Sequence, residues 1–453
     1  MKRFFALAVM VISLTAICTT GYATNGYYTH GVGAKNKSLA GAGTATPEEA
    51  IANANNPASA VMLPSRFEVG MSLFSPRRGF EVSNSLANGN GGAFTIDDGV
   101  TSGSNYFPIP YVAWNWKRNE SNAIGVSIYG RGGMNTDYSG GSATFDPDGP
   151  GPAPVMSLPG VFGAGNMGVD FSQMFVDLTY ARKVGDLSWG ISAVFAIQAM
   201  ELKGIATFAP FSRTFAASGG MQMPVALSDN GHDLSTGGGL KVGGIWQASP
   251  NLRFAASYQS ELSMSEFDDY SDLFADGGNF DIPASTKAGL SWDASGRITW
   301  HLDVEYTEFN SVKSVGRTSS ALFSCPTAGA GGMDLESCLG GSRGAGFGWD
   351  NMTTWKTGVT YRPESLSNWQ FRAGYSQGDQ PVDATDILFN IIAPGVMEQH
   401  FTFGASHLAQ RGEFNVALMY APQHKVAGAS PFDPTQVIEL RMRQFELEFS
   451  YSW

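Results

Sequence analysis

From Phe67 the sequence settles into a period of two: Phe67, Val69, Met71 and Leu73 are apolar, and Glu68, Gly70 and Ser72 between them are not. A β-strand sends successive side chains to opposite faces, so such a run has one apolar and one polar face. The pattern is cleanest at Ile298, Trp300, Leu302, Val304 and Tyr306, with Thr299, His301, Asp303 and Glu305 between them, and it returns around Trp189, Trp355, Trp369 and Phe414. In all it predicts strands near 66–75, 106–116, 123–136, 169–182, 187–200, 238–248, 251–264, 283–293, 297–309, 352–362, 368–378, 397–408, 413–423 and 437–453. An even count is what a single-chain bacterial barrel requires. Lys117 to Asn122, Val184 to Asp186, Ser249 to Pro250, Ala294 to Gly296, Pro363 to Ser367 and Gln410 to Gly412 are short connections, and those between them are long. One rim is therefore expected to carry tight periplasmic turns and the other large outer loops. No stretch beyond the N-terminus reaches the ~18 to 20 apolar residues of a membrane helix. The expected fold is all-β: a 14-stranded antiparallel transmembrane β-barrel over residues 65–453. A soluble sandwich would show a second sheet pattern, and none is present.

Ahead of the strands the pattern differs. Lys2 and Arg3, the apolar run Phe4 to Ile17 and the small Gly21-Tyr22-Ala23 form a signal peptide over residues 1–23, with Thr24 as mature start. Residues 24–64 are crowded with Gly and Ala (Gly31, Gly33, Ala34, Gly41, Ala42, Gly43) and cannot build a core of their own. Thr46 as N-cap, Pro47 at the first helical position and Glu49 three residues after the cap predict a capping box ahead of Ala50, Ile51, Ala52 and Ala54. Asn56-Pro57-Ala58 stops that helix. Such a segment needs an enclosure; the alternative is a Gly-rich linker, which seldom carries a capped helix.

Gly33-Ala34-Lys35, Gly41-Ala42-Gly43, the Pro47 helix and Asn56, Pro57 and Ala58, in that order, resemble the N-terminal hatch of the FadL/TodX family of outer-membrane transporters for fatty acids and other hydrophobic compounds. Pro108-Ile109-Pro110, Ala123-Ile124-Gly125-Val126 and the run Gly130-Arg131-Gly132-Gly133-Met134 resemble the family's second and third strands. The alternation ending at Phe449, Tyr451 and Trp453 resembles the targeting signal of outer-membrane barrels, so the barrel assembly machinery is an expected partner. The resemblance implies an inward kink of the third strand at Gly130, Gly132 and Gly133 that opens a lateral gate; physically, paired glycines in a strand mark a bulge or a close approach. It also brings the mature N-terminus to an inner pocket, which makes Tyr27 and Tyr28 lining candidates, or aromatic anchors. Between the fifth and sixth strands lies an unusually apolar loop with Leu202, Ile205, Phe208, Phe211, Phe215, Met221 and Met223, and a second runs from Phe267 to Phe274. Exposed apolar loops bind something or pack on each other; the resemblance implies a capture groove between them. Arg131, Lys203 and Arg213 are the cations to test against a ligand carboxylate.

Charge and chemistry narrow the function. The formal charge is −12, which argues against a nucleic-acid partner. Only 15% of residues are charged against 12% aromatic, with 56 Gly, as expected for many strands and turns. Cys325 and Cys338 stand 13 apart in a Gly-rich loop of an exported chain, which favours a disulfide. No nucleophile elbow, paired-His zinc motif or phosphate loop occurs, and Ser406-His407 points to opposite faces of a strand. The run 163–168 matches a dinucleotide fingerprint but lies in a Pro- and Gly-rich loop, and the carboxylates Glu266, Asp268, Asp269, Asp272 and Asp276 lack EF-hand order. No enzyme activity, cofactor or metal is expected. The expected function is passive uptake of long-chain fatty acids or other hydrophobic molecules by a monomer, through hatch displacement and lateral diffusion near the third strand. Outer-membrane lipid and lipopolysaccharide surround it. The alternative is a general diffusion porin, which would show opposed charges in an open lumen. Apolar walls alone do not separate fatty acids from alkanes or aromatic hydrocarbons.

Overall fold

The computed structural model describes residues 25–86, 95–146 and 153–453; the signal peptide predicted over residues 1–23 lies outside them. Fourteen strands close into one antiparallel barrel, each paired with its chain neighbours and the last with the first. They are β1 (Arg66–Val82), β2 (Phe107–Asn119), β3 (Asn122–Tyr138), β4 (Met167–Val184), β5 (Leu187–Lys203), β6 (Asp233–Ser249), β7 (Leu252–Gln259), β8 (Ser285–Asp293), β9 (Ile298–Thr307), β10 (Met352–Tyr361), β11 (Trp369–Gly378), β12 (Gln399–Ala409), β13 (Gly412–Ser430) and β14 (Asp433–Ser452). Each of the fourteen predicted runs is one of these strands. The outward rows are apolar and exposed: on β9, Trp300, Leu302 and Tyr306 face out, while Thr299, His301, Asp303 and Glu305 are buried inside. Exposed Trp116, Trp189, Trp292 and Trp369 gather toward the short-turn rim, and Tyr258, Tyr306, Trp355 and Tyr420 toward the loop rim. Two such aromatic girdles bracket a bilayer.

Two expectations are corrected. The connection between the last two strands is not long: β13 and β14 run on to a turn of only Pro431 and Phe432. Residues 422–436 carry few apolar side chains because this hairpin rises past the membrane face, so the period-two signal fades although the pairing continues. The capping box does not form either. Ala50–Ala54 is a 3-10 turn preceded by an extended Glu49. The Glu49 carboxylate instead accepts from the backbone N–H groups of Lys35 and Asn36, at 3.0 and 2.9 Å, holding the turn Ala34–Lys37. Tertiary demand for an acceptor at that end outweighs the local cap.

Residues 25–63 run inside the barrel and are buried almost throughout. The N–H groups of Gly43 and Thr44 donate to Asp303 of β9, and that of Ala50 donates to Glu68 of β1. Asn56 Nδ2 donates to the carbonyls of Gly244 and Ala256 on β6 and β7, while its Oδ1 accepts from Ala58 N–H at 3.0 Å. The wall yields room for this Asn-Pro-Ala turn through glycine: a Cβ on Gly190 would lie 2.5 Å from Pro57 and one on Gly243 2.1 Å from Asn56. A segment that cannot form its own core is thus packed backbone-close against one supplied by the barrel.

Candidate functional site

The interior divides at about the level of Arg131. On the short-turn side, charges hold the inner segment. Lys35 pairs with Glu413 at 2.7 Å, Lys37 with Glu446 and with Glu448 at 2.6 Å, and Glu48 with Arg362 at 2.7 Å and with Arg372. Burial would raise the Glu48 carboxyl, but Arg372, Lys35 and Arg362 together hold it well below the usual carboxylate range. Burial, followed by the Lys37 and Lys356 cations, holds the His30 imidazole well below its usual range, so the ring is neutral.

On the loop side the interior is built of rings and aliphatic chains. Leu202 at the end of β5 and Ile205 and Phe208 from the β5–β6 connection meet Leu273 and Phe274 from the β7–β8 connection around a cavity of about 40 Å³. Leu339 and Phe347 of the β9–β10 loop and Phe389 and Ile392 of the β11–β12 loop complete its wall, and Ser314 is its one polar side chain. Such a space is smaller than the ~150 Å³ of an apolar cavity that admits benzene. From Phe274 an aromatic file continues inward: Phe280 stacks edge-on to Phe274 at 5.2 Å and to Phe171 at 5.1 Å, and reaches Tyr27 at 6.4 Å. Tyr27 is enclosed by Tyr28, Phe309 and Trp349 at 4.9, 5.0 and 5.7 Å. Disulfide Cys325–Cys338 ties the β9–β10 loop that carries two of these walls.

The two regions meet at a break in the barrel wall. Pairing of β2 with β3 ends at Tyr111 and Tyr129, although β2 still pairs with β1 as far as Phe107. Proline is tolerated in a ladder only where its missing N–H faces away from the partner, so Pro108 and Pro110 leave the β3-facing edge of β2 without donors. Across this interval β3 bulges against β4 between Gly130 and Gly132. Its backbone bonds to the inner segment instead: Thr29 N–H donates to the Arg131 carbonyl at 2.8 Å and Gly133 N–H to the Tyr27 carbonyl at 3.0 Å. Residues 101–103 close the upper end through Gly103 N–H and the Asp137 carbonyl, 2.8 Å apart. A Cβ on Gly132 would come 1.9 Å from Gln173 Oε1 and 3.2 Å from the Tyr28 ring, so a side chain there would have to displace Gln173 and press on Tyr28.

Of the residues singled out by sequence, Leu202, Phe208 and Phe274 line the cavity, Phe211 packs behind it on Phe208 and Phe432, and Phe267 is buried against Phe274. Phe215 sits half-buried on the short helix Arg213–Ala217, and Met221 and Met223 are exposed. Three cations fall into two groups. Lys203 and Arg213 do not line the cavity: they are half-exposed and face Glu201 at 3.9 Å and Glu336 at 2.9 Å. Arg131 is not a loop cation; it is buried on the bulge of β3, 4.4 Å above the Tyr28 ring. Its guanidinium donates to Gln259, Ser285 and Glu305, and Glu305 also takes Lys287 at 3.2 Å and Lys356 at 2.6 Å. Three cations therefore share one carboxylate beneath the aromatic file. The run 163–168 is a turn leading into β4, with left-handed Gly163 and Gly165, and opens no helix. Among the described residues no group of His, Cys, Asp and Glu is placed to hold a metal.

Comparison with known proteins decides what this architecture belongs to. The sequence model of the outer membrane protein transport protein family (OMPP1/FadL/TodX) matches residues 159–411, more than half of the chain. The chain belongs to the FadL/TodX family. It is accordingly a β-barrel of the outer membrane of a Gram-negative bacterium, from a family that transports hydrophobic compounds. Solved structures agree in fold: the Pseudomonas putida toluene transporter TodX superposes at TM-score 0.62 and 15% identity over 94% of this chain and 98% of that one. A Pseudomonas aeruginosa FadL homologue gives 0.58 and 15% over 96% and 99%, and the Ralstonia pickettii toluene transporter TbuX gives 0.56 and 15% over 94% and 98%. No curated protein matches the sequence. FadL/TodX membership rests on residues 159–411, so the hatch-like motifs at the N-terminus stand beside that match and outside it.

Proposed function

We propose that the protein passes long-chain fatty acids or other hydrophobic molecules such as aromatic hydrocarbons inward, without catalysis or an energy source, and releases them sideways through the wall between β2 and β3. Residues 24–64 act as the hatch and residues 65–453 as the barrel. One observation carries the reading: Tyr27–Thr29 occupies the hydrogen-bonding place on β3 that β2 has vacated. Cargo entering among the loops would widen the cavity at Phe208 and Phe274, follow Phe280 to Tyr27 and displace that contact. Two backbone hydrogen bonds at about 0.5–1.5 kcal/mol each are a small obstacle. Burial of an apolar ligand at ~0.8 kcal/mol per methylene readily offsets it. The 40 Å³ loop cavity and the deeper ring cluster make two imperfect sites in series, which avoids trapping cargo in one tight pocket.

The porin alternative is weakened from an unexpected side. Opposed charges are abundant in the lower lumen, yet they are spent on pairing the hatch to the wall. The similarity to toluene transporters supports a hydrophobic cargo, and the three cations at Glu305 offer a counter-charge if that cargo carries a carboxylate. Uptake of radiolabelled oleate and of toluene by a host lacking its own transporter tests the reading. Accumulation of either above the empty host is expected; accumulation of neither, with small hydrophilic solutes admitted instead, would overturn it in favour of a porin.

A further inference from the structure

The membrane-facing wall of β12, β13, β14 and β1 is concave. A groove of about 440 Å³ is lined there by Leu73, Phe401, Phe403, Leu418, Phe445 and Leu447. Strand register fixes what lies above it. Ser75, Phe445 and Tyr420 form one outward row, since Ser75 opposes Phe445 and Phe445 opposes Tyr420. The next outward row toward the loops places Arg77 directly opposite Arg443, and the row beyond that places Lys425 opposite Arg441. Two residues along a strand span ~6.6 Å, so these cations begin one short step above the apolar groove. That level is the outer edge of the aromatic girdle at Tyr420.

The pairing of these cations is uneven. Arg441 reaches Glu81, and Lys425 reaches Glu439 at 2.6 Å, so the upper row is neutralised by its own neighbours. Arg77 donates to the Tyr106 hydroxyl at 2.7 Å and lies 4.9 Å over that ring, with no carboxylate. Arg443 is exposed and has no hydrogen bond or ion pair among the described residues. Like charges directly opposite on a sheet destabilise it unless an anion sits between them. Arginine forks suit phosphate oxygens.

We propose that this wall is a binding site for one lipopolysaccharide molecule, with a phosphate of its acylated anchor between Arg77 and Arg443 and an acyl chain in the groove below. Charge complementarity selects an anionic head, the groove selects a chain, and the position toward the long loops selects the outer leaflet, where this lipid resides. The site lies outside the barrel and is separate from the transport route through β2 and β3.

The test is native mass spectrometry of the purified full chain in detergent micelles with added diphosphorylated lipid A. Wild type should retain one lipid A. The Arg77→Gln/Arg443→Gln double variant should bind at least tenfold more weakly, and so should Leu447→Trp, which fills the groove while keeping both arginines. Arg182→Gln, an exposed cation at the other end of the barrel, should bind as wild type does. Dephosphorylated lipid A should bind at least tenfold more weakly than the phosphorylated form, and inorganic phosphate should not displace it. Equal retention by the arginine variant, no effect of Leu447→Trp, or equal binding of dephosphorylated lipid A would overturn the site. Equal competition by phosphatidylglycerol would overturn its assignment to lipopolysaccharide. If the arginine variant does not assemble, Leu447→Trp and the dephosphorylated lipid still decide the matter.

Discussion

The two halves of the barrel interior hold their contents by opposite means. Toward the short turns the hatch is fixed by buried ion pairs such as Lys37 with Glu446 and Glu448, and by backbone donors aimed at Asp303 and Glu68. Toward the loops, Phe208, Phe274, Phe280, Tyr27 and Trp349 meet through dispersion and burial with scarcely a polar contact. Ion pairs in a low-dielectric interior are specific and tolerate no missing partner. Apolar packing is non-directional and can rearrange around a guest. The lower half therefore suits a seal and the upper half a pathway, with Tyr27–Thr29 as the only part of the described hatch that bonds to the break in the wall.

Breaking the lower half should have the largest effect. Lys37→Met leaves Glu446 and Glu448 buried with no cation between them and should cost roughly 3–5 kcal/mol. Loss of stability in urea unfolding from lipid vesicles, and entry of small hydrophilic antibiotics into cells, are the expected readouts. Trp349→Ala removes a fully buried ring that packs on Tyr27 and Phe309 and donates to Asn390, for about 3–5 kcal/mol. Its effect should fall on uptake with no gain in antibiotic entry, which separates the two halves.

A smaller effect belongs to Glu49. Burial first, and the facing Glu68 carboxylate second, push its carboxyl up to about 8, against the lowering influence of the Lys35 and Asn36 N–H groups. A carboxyl raised by folding binds its proton more tightly in the native state. Its contribution is therefore complete below the ordinary range near 4.5 and is lost as pH rises through about 8. The protection factors of residues 34–54, measured relative to the intrinsic exchange rate at each pH, should be higher at pH 5 than at pH 9, and Glu49→Gln should flatten that difference. The smallest effect is expected at Lys203→Ala and Arg213→Ala. Half-exposed ion pairs contribute only about 0–1 kcal/mol, and neither residue lines the cavity, so uptake kinetics should not change.

How far each half could be read from sequence follows the same division. The barrel was legible because lipid enforces strict alternation: Trp300, Leu302 and Tyr306 cannot be polar, whatever the loops do. Asn56-Pro57-Ala58 was legible as a local turn, but its seat against Gly190 and Gly243 needed the strand register. Phe208 and Phe274 stood out as apolar residues in loops. Their partners Phe347, Phe389 and Ile392 did not, because the β9–β10 and β11–β12 loops have no period to mark which face is buried. Glu305 reads in sequence as one more inward polar residue; that Arg131, Lys287 and Lys356 converge on it depends on three separate strands. Glu49 misled for the same reason, since the backbone it caps lies 13 and 14 residues away.

The most direct measurement is uptake of labelled oleate and toluene by a Gly132→Val/Gly133→Val variant in a host lacking its own transporter, with barrel assembly checked by heat-modifiable mobility. A side chain at Gly132 would be driven into Gln173 and Tyr28 at the break between β2 and β3. At least a tenfold loss of uptake by an assembled barrel is expected if cargo leaves through that break. Unchanged uptake by an assembled barrel would contradict the lateral route.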